Sequence, residues 1–169
     1  MSEIYSQKEP LRLFAETYYP DYEEVLEERR LALIERAHRS KEEYGLDLND
    51  PFSCDSCKLA CCVLPKEVYH RHQITRNGGV IFLRNSEVEG FGNHAFLSSA
   101  DNPDRVLDFV AGQFARLLHT SLDQWIRLYP ELFINRALCS DKQTIERKLG
   151  IIYPKNIPFE QFFGFSLLD

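Results

Sequence analysis

The sequence predicts a mainly α-helical protein with a small antiparallel β-hairpin element, an α+β arrangement whose helices pack around a cysteine-rich metal loop. Three observations predict it. Apolar residues recur at intervals of three and four over much of the chain, which is typical of amphipathic helices. One Asn-Gly pair separates two runs rich in β-branched and apolar residues, a hairpin signal. Finally, four of the five cysteines crowd into nine residues.

The length and composition predict one domain spanning residues 1–169. Hydrophobic residues make up 44% and charged residues 27% of the chain, which is close to the globular average. A chain of this length can bury a substantial core. We divide it into N-terminal helices in 1–48, the cysteine loop and hairpin in 49–100, and C-terminal helices with an apolar tail in 101–169.

Two helices are expected before the cysteines. A short apolar stripe ends at Pro20 and predicts a brief first helix. Asp21 and Glu24 then form a capping-box pattern at the start of a second helix over 22–44, and Gly45 is a suitable terminator. The stripes carry Leu11, Leu13, Phe14 and Tyr18 in the first helix, and Val25, Leu26, Leu33, Ile34 and Ala37 in the second.

The hairpin is expected to turn at Asn77 and Gly78, because Asn-Gly suits the two central positions of a tight hairpin turn. A third strand is expected around Ala95 to Leu97. A second turn, over 90–93, should precede that strand. The apolar tail that begins near Ile157 should pack back on the body or on a partner.

Three helices are expected in the C-terminal part. Asn102 and Pro103 suit the cap and the first position of the longest, which Pro130 ends. Ser140, with Gln143 three residues later, caps the last one. The expected helices therefore cover Asn102 to Leu128, Glu131 to Leu138, and a third segment that begins after Ser140 and stops at Gly150.

The cysteine stretch reads C-D-S-C-K-L-A-C-C, and thiolates are good ligands for zinc or iron. Cys54 and Cys57 are separated by two residues, so both sulfurs can turn toward one ion within a tight turn. Adjacent residues of an extended chain point in opposite directions, so Cys61 and Cys62 can bind the same ion only where the backbone bends. One of the two therefore need not be a ligand. A histidine from an extended segment, or the more distant Cys139, could supply the fourth ligand. The candidate ligands are Cys54, Cys57, Cys61, Cys62, His70 and His72.

The stretch F-S-C-D-S-C-K-L-A-C-C-V-L-P-K-E resembles the cysteine signature of the zinc- or iron-chelating YkgJ-like domain family. Members of that family carry a C-x2-C pair, a double cysteine and an apolar segment with Pro and Glu. The resemblance implies that Cys54, Cys57, Cys61 and Cys62 are metal ligands. Four cysteines suit zinc or an iron–sulfur cluster, whereas three cysteines with one histidine favour structural zinc.

Charge and patterning restrict the function classes. The net charge of -6 argues against a broad surface for nucleic acid or anionic lipid. We find no signal-peptide pattern and no apolar run long enough to span a membrane. We therefore expect a cytoplasmic protein. In the cytoplasm, clustered cysteines are more often metal ligands or reactive thiols than disulfides. The leading hypothesis is a non-catalytic metal-binding adaptor or regulator with a protein partner.

Two alternatives give the same cysteines a role other than that of a permanent metal site. Oxidation of Cys61 or Cys62 could release an ion and loosen the fold, as in a thiol-based redox sensor. Alternatively, Cys54, Cys57 and Cys61, spaced at three and four, could form the apolar stripe of one helix that Leu64 continues, because cysteine packs as a small hydrophobe.

A helical di-iron oxidase is a third alternative, because the chain holds two Glu-x-x-His units of the kind that supply ligands from facing helices. Two further helices would each add a glutamate. The units are Glu35 with His38 and Glu67 with His70, and the candidate additional ligands are Glu16 and Glu131.

A fourth alternative is a DNA-binding regulator with a helix-turn-helix in R-A-L-C-S-D-K-Q-T-I-E-R-K-L-G. A plain helical hairpin is the simpler interpretation of that segment. His94 and His119 are isolated in the sequence, and a packed or surface role is the default for each. No catalytic motif stands out. The side chains that could meet phosphates or bases are Lys142, Gln143, Thr144, Arg147 and Lys148.

Overall fold

The computed structural model describes residues 9–19, 55–62, 64–84 and 92–164. Within those ranges the centre of the fold is a curled, seven-stranded antiparallel sheet. The predicted mainly helical class is therefore wrong, and the small hairpin is part of a much larger sheet. The second predicted helix, over 22–44, lies outside the described residues, as do its cap Asp21 and its terminator Gly45.

The strands follow the order β4-β5-β3-β2-β1-β6, and β7 pairs with β1 at Asn77 and Gly78, on the edge of β1 that faces away from β2. All the pairings are antiparallel. The strands are β1 Ile74–Leu83, β2 Gly92–Ser99, β3 Arg105–Asp108, β4 Phe133–Ile134, β5 Ala137–Asp141, β6 Ile151–Ile152 and β7 Ile157–Pro158.

Short helices cover both faces of the sheet. The first predicted helix is confirmed as α1, which starts with Pro10 at its first position and ends before Tyr19. The described helices are α1 Pro10–Tyr18, α2 Asp55–Cys61, α3 Lys66–Arg71, α4 Gly112–Leu117, α5 Leu122–Leu128, α6 Lys142–Leu149 and α7 Phe159–Phe163, with a 3-10 turn at Pro130–Leu132. None of these helices is long and apolar enough to cross a membrane.

Asn77 and Gly78 lie in the middle of β1 and not at a turn, so that prediction is wrong. Asn77 is paired with Phe96, in the strand that confirms the predicted third strand. A Cβ atom on Gly78 would lie 2.6 Å from the Phe163 ring and 2.7 Å from the Phe162 ring. The glycine thus permits the close approach of α7 to the strand, which is the other common use of glycine in a sheet.

The predicted long helix over 102–128 is instead β3, α4 and α5, separated by turns. Val106, Leu107 and Asp108 are all buried, because both faces of β3 are covered. A strand buried on both faces has a continuous apolar sequence that also fits helical spacing. The chain turns at His119, where φ is +60°, and Ser121 caps α5 by accepting a hydrogen bond from the Gln124 N–H at 3.1 Å.

The predicted helix over 131–138 is also wrong. That segment forms the 3-10 turn and then β4 and β5, joined by Asn135 and Arg136 with φ of +48° and +66°. Two central residues with positive φ are typical of a type I′ hairpin turn. The helix α6 ends at Gly150 as predicted, with φ of +76°, but Asp141 caps it in place of Ser140.

The sheet separates two apolar clusters. Along β2 and β3, Leu97 and Leu107 face one cluster, whereas Phe96 and Val106 face the other, as the two-residue repeat of a strand requires. The cysteine-side core contains Leu11, Phe14, Ala15, Tyr19, Cys57, Ala60, Cys61, Cys62, Leu64, Tyr69, Ile74, Ala95, Leu97, Leu107, Phe109, Ala137, Cys139 and Phe159. The opposite core contains Ile81, Leu83, Phe96, Val106, Ala111, Phe114, Ala115, Trp125, Leu132, Phe133, Leu138, Ile145, Leu149, Ile151 and Tyr153.

Candidate cysteine–histidine site

Three of the predicted ligands lie on or beside α2, which packs on β2. Cys57 and Cys61 are one helical turn apart and therefore share a face, and Cys62 follows directly. All three carry thiols and are buried, with Cys57 completely inaccessible to solvent. The packing alternative predicted Cys57 and Cys61 on the buried face of one helix, as observed, but the helix ends at Cys61, so Leu64 does not continue it. Cys54 lies outside the described residues.

Cys57 reaches the sheet at the point where two strands part. The ladder between β2 and β3 comprises only the pairs Leu97 with Leu107 and Ser98 with Val106. Beyond that ladder, the Ala95 N–H donates a hydrogen bond to Cys57 Sγ at 3.3 Å. The thiol thus takes a place that a neighbouring strand's carbonyl fills elsewhere in a sheet.

A buried polar network bridges the same gap. His94 Nε2 lies 2.6 Å from Asp108 Oδ2, and both side chains are almost fully enclosed. The Tyr153 hydroxyl donates to the same carboxylate oxygen at 2.5 Å, and the Val110 N–H donates to Asp108 Oδ1 at 2.9 Å. Both carboxylate oxygens therefore have donors, as a buried charge requires.

The network stabilises a charged imidazolium. Burial alone would lower the pKa of His94, but the Asp108 carboxylate and the Cys57 sulfur outweigh burial and raise that pKa to about 10. Burial and the same carboxylate raise the pKa of Tyr153 well above its ordinary value, so its hydroxyl keeps its proton. The pairing with Asp108 therefore favours the protonated form of the His94 ring.

One cationic side chain, Arg76, contacts a sulfur atom, and a second, Lys58, lies over the Phe163 ring. Arg76 Nη1 donates to Cys62 Sγ at 3.6 Å, and the same guanidinium forms an ion pair with Glu160. Lys58 is buried, with Nζ 4.8 Å from the centre of the Phe163 ring. Burial and the neighbouring sulfurs raise the pKa of the Cys61 thiol well above its ordinary value, and Arg76 opposes that shift only partly.

The predicted histidine ligands lie elsewhere. His70 is on the exposed side of α3, in a shallow depression lined by Lys66, Glu67 and Arg71. His72 ends the same helix, and its Nε2 lies 2.9 Å from the Tyr18 hydroxyl. The extended segment that would have turned both rings to one side is helical here.

Over the described ranges, no three Cys, His, Asp or Glu side chains surround a point that could hold a metal ion. Ligation by Cys54, Cys57, Cys61, Cys62, His70 and His72 therefore stays a prediction. Cys139 lies on β5 opposite Leu107, and burial raises its thiol pKa to about 11.

The structure separates the candidate di-iron ligands, and the candidate DNA-contacting residues from Lys142 to Lys148 all lie on α6. Glu16 is exposed on α1, and Glu131 accepts a hydrogen bond from Lys148 Nζ at 2.9 Å. Glu35 and His38 fall outside the described residues. The segment proposed as a helix-turn-helix consists of β5 and one helix, α6, so its first helix is absent from the described structure.

His94 and Asp108 were not predicted as site residues. They are fourteen positions apart in the sequence, and the antiparallel course of β2 and β3 brings them together. The usable signal was an acidic residue within the apolar run V-L-D-F-V, which predicts a buried carboxylate with a partner. Because that run was interpreted as part of a helix, Asp108 was not identified as a buried carboxylate.

Comparisons of the chain with family models, with curated proteins and with solved structures found no match.

Proposed function

We propose that the protein binds a metal through the cysteines between Cys54 and Cys62 and uses it to stabilise its fold. The cation is zinc, with an iron–sulfur cluster as the alternative. The observation that carries the proposal is that polar donors face the buried sulfurs: the Ala95 N–H faces Cys57 and the Arg76 guanidinium faces Cys62.

Those donors distinguish a thiolate site from simple packing. A neutral thiol is a weak acceptor and packs well among apolar groups without any donor. A metal-bound thiolate carries negative charge, and N–H groups and cations near the sulfur stabilise it. Placing Arg76 against Cys62, with only 10% of the arginine side chain exposed, is favourable if the sulfur is charged.

Burial supports a structural role over catalysis. Structural zinc sites are closed by their protein ligands, whereas catalytic sites keep a position open to water or substrate. Cys57, Cys61 and Cys62 have no more than 3% exposure. Reactive cysteines are exposed and have lowered pKa values, so the burial and the raised pKa of Cys61 argue against a peroxide sensor.

We also propose that the protein is cytoplasmic and acts as an adaptor or regulator. Thiols that bind metal persist in a reducing compartment. Val80 and Phe82 are 38% and 47% exposed on one face of β1, and this pair is the apolar surface that we assign to a protein partner.

Metal content tests the proposal. Protein purified without oxygen is expected to hold about one equivalent of zinc, or iron with sulfide, by elemental analysis. The variants Cys57→Ser and Cys61→Ser should lose it and unfold at lower temperature. Cys139→Ser is the matched control, because it changes an equally buried thiol outside the loop and should keep the metal. Full metal content in the Cys57 and Cys61 variants would refute the site.

A further inference from the structure

We propose that the helix α7 is a strap that holds Arg76 over Cys62, and that release of the strap exposes this thiol to reagents in solution. The proposal goes beyond the proposed function, because it concerns access to the sulfur and can be tested on metal-free protein. Its first support is position, since Phe159 and Phe163 of α7 both pack on the cysteine-side core.

Arg76 joins α7 to the sulfur. Its Nη1 donates to Cys62 Sγ at 3.6 Å, and its Nη2 forms an ion pair with Glu160 of α7. The guanidinium carbon lies 5.5 Å from the centre of the Phe159 ring and 5.9 Å from that of the Tyr69 ring. The strap thus supplies a carboxylate and a ring that hold the guanidinium against the thiol, and Cys62 is left with 3% exposure.

The strap is seated on β1 and α2. A Cβ atom on Gly78 would lie 2.6 Å from the Phe163 ring and 2.7 Å from the Phe162 ring, which is closer than packed carbon atoms approach. A larger residue there would therefore push α7 away from the strand. On the other side, Lys58 Nζ of α2 lies 4.8 Å from the centre of the Phe163 ring. Phe163 is therefore the contact that α7 shares with both elements.

The attachment of the strap is short. The helix α7 has five residues, and the strand β7 before it forms two residue pairs with β1, whereas β2 forms eight. A helix of this length is not stable in water without its packing contacts. Phe159 is fully enclosed, so its exposure sets much of the cost of release. A segment held by few backbone pairs can open while the rest of the sheet stays folded.

Labelling of the full chain with N-ethylmaleimide, reduced and with a chelator present, tests the strap on the wild type. Fragmentation of the tryptic peptide 59–66 separates labelling of Cys61 from that of Cys62. Cys139 on β5 is fully enclosed, so its labelling reports opening of the sheet. Each rate is divided by the rate of the same thiol in urea-unfolded protein.

We expect Cys62 to label at least about tenfold faster than Cys139, because the rate follows the population of the opened state. Equal rates at these two thiols would overturn the proposal, since Cys62 would then need the sheet to open. The labelling needs no metal, so its outcome is separate from that of the metal-content test.

Variants assign the opening to α7. Gly78→Ala and Phe163→Ala should each speed the labelling of Cys62 at least about tenfold and leave that of Cys139 unchanged. Gly79→Ala is the matched control, because it makes the same change at the next residue of β1, where the new Cβ would meet Pro154 and not α7. A rise of similar size in Gly79→Ala would overturn the proposal, as would unchanged labelling in the other two variants.

Discussion

The two cores on either side of the sheet differ in what holds them together. The opposite core is built from aliphatic and aromatic groups, and its largest enclosed side chains include Phe96, Phe114 and Ile145. The cysteine-side core contains four thiols and the paired hydroxyls of Tyr19 and Tyr69, whose oxygens are 3.1 Å apart.

The difference separates two sources of stability. Burial of apolar surface holds the opposite core, and it does not depend on redox state or metal. The cysteine-side core adds polar contacts whose strength depends on the charge of the sulfurs. Asp108 lies where the two meet, because it accepts from Tyr153 of the opposite core and pairs with His94, which precedes Ala95 of the cysteine-side core. If the proposed metal binds at the cysteines, substitutions on the two sides should respond differently to its removal.

The largest effect is expected in the opposite core. Phe96→Ala deletes a fully enclosed ring and should lower the free energy of unfolding by about 3–5 kcal/mol. Urea denaturation should give the same loss with and without a chelator. Phe82→Ala, at a side chain with 47% exposure, is the control and should cost less than about 1 kcal/mol. A loss for Phe96→Ala that depends on the chelator would contradict the separation of the two cores.

A smaller effect is expected at Asp108, which lies at the boundary between the two cores. Tyr153→Phe removes the hydroxyl that donates to Asp108 Oδ2 and should cost about 1–3 kcal/mol, because the buried carboxylate loses a donor. Urea denaturation measures this cost. Tyr129→Phe changes a half-buried tyrosine near the surface and should cost less than about 0.5 kcal/mol. Equal stability of the two variants would show that the network at the boundary contributes little.

The smallest effect is expected at the cap of α6, where Asp141 is only partly buried. Asp141 Oδ1 accepts from the Thr144 N–H at 2.9 Å, and Asp141→Ala should cost about 1 kcal/mol at neutral pH. Burial raises the pKa of Asp141, but the hydrogen bonds from Thr144 outweigh it and hold the pKa below its ordinary value.

A carboxylate with a lowered pKa stabilises the fold above its ordinary pKa of about 3.9, and this contribution disappears as the pH falls through the folded-state pKa. Thermal unfolding of the wild type between pH 6 and pH 2 should therefore show a loss that Asp141→Ala lacks. Asp141→Ser keeps a capping oxygen without the charge, so it should hold most of the stability and lose the pH dependence. An identical acid profile in all three proteins would contradict the capping role.

Local signals predicted the elements that depend on neighbouring residues alone. Pro10 and the apolar stripe after it identify α1, and Gly150 in a left-handed conformation ends α6 as expected. The burial of the α2 cysteines also followed from their spacing, through the packing alternative. In each case the deciding contacts lie within about one helical turn.

The sheet could not be predicted in the same way. β3 is buried on both faces, so its apolar run lacks the alternation that identifies a strand. Gly78 resembles a turn residue, but its role depends on Phe162 and Phe163, more than eighty positions later. The pairing of His94 with Asp108 depends on how β2 and β3 meet, and one sequence gives no direct sign of that register.

The order of the strands also affects synthesis on the ribosome. β1 pairs with β2 soon after it emerges, but its remaining partners are Ile151, Ile152, Ile157 and Pro158. Until those residues leave the exit tunnel, the nascent chain presents an unpaired strand edge with Phe82 beside it, which favours association between chains. The last strands to be made, β6 and β7, therefore complete the pairing of β1.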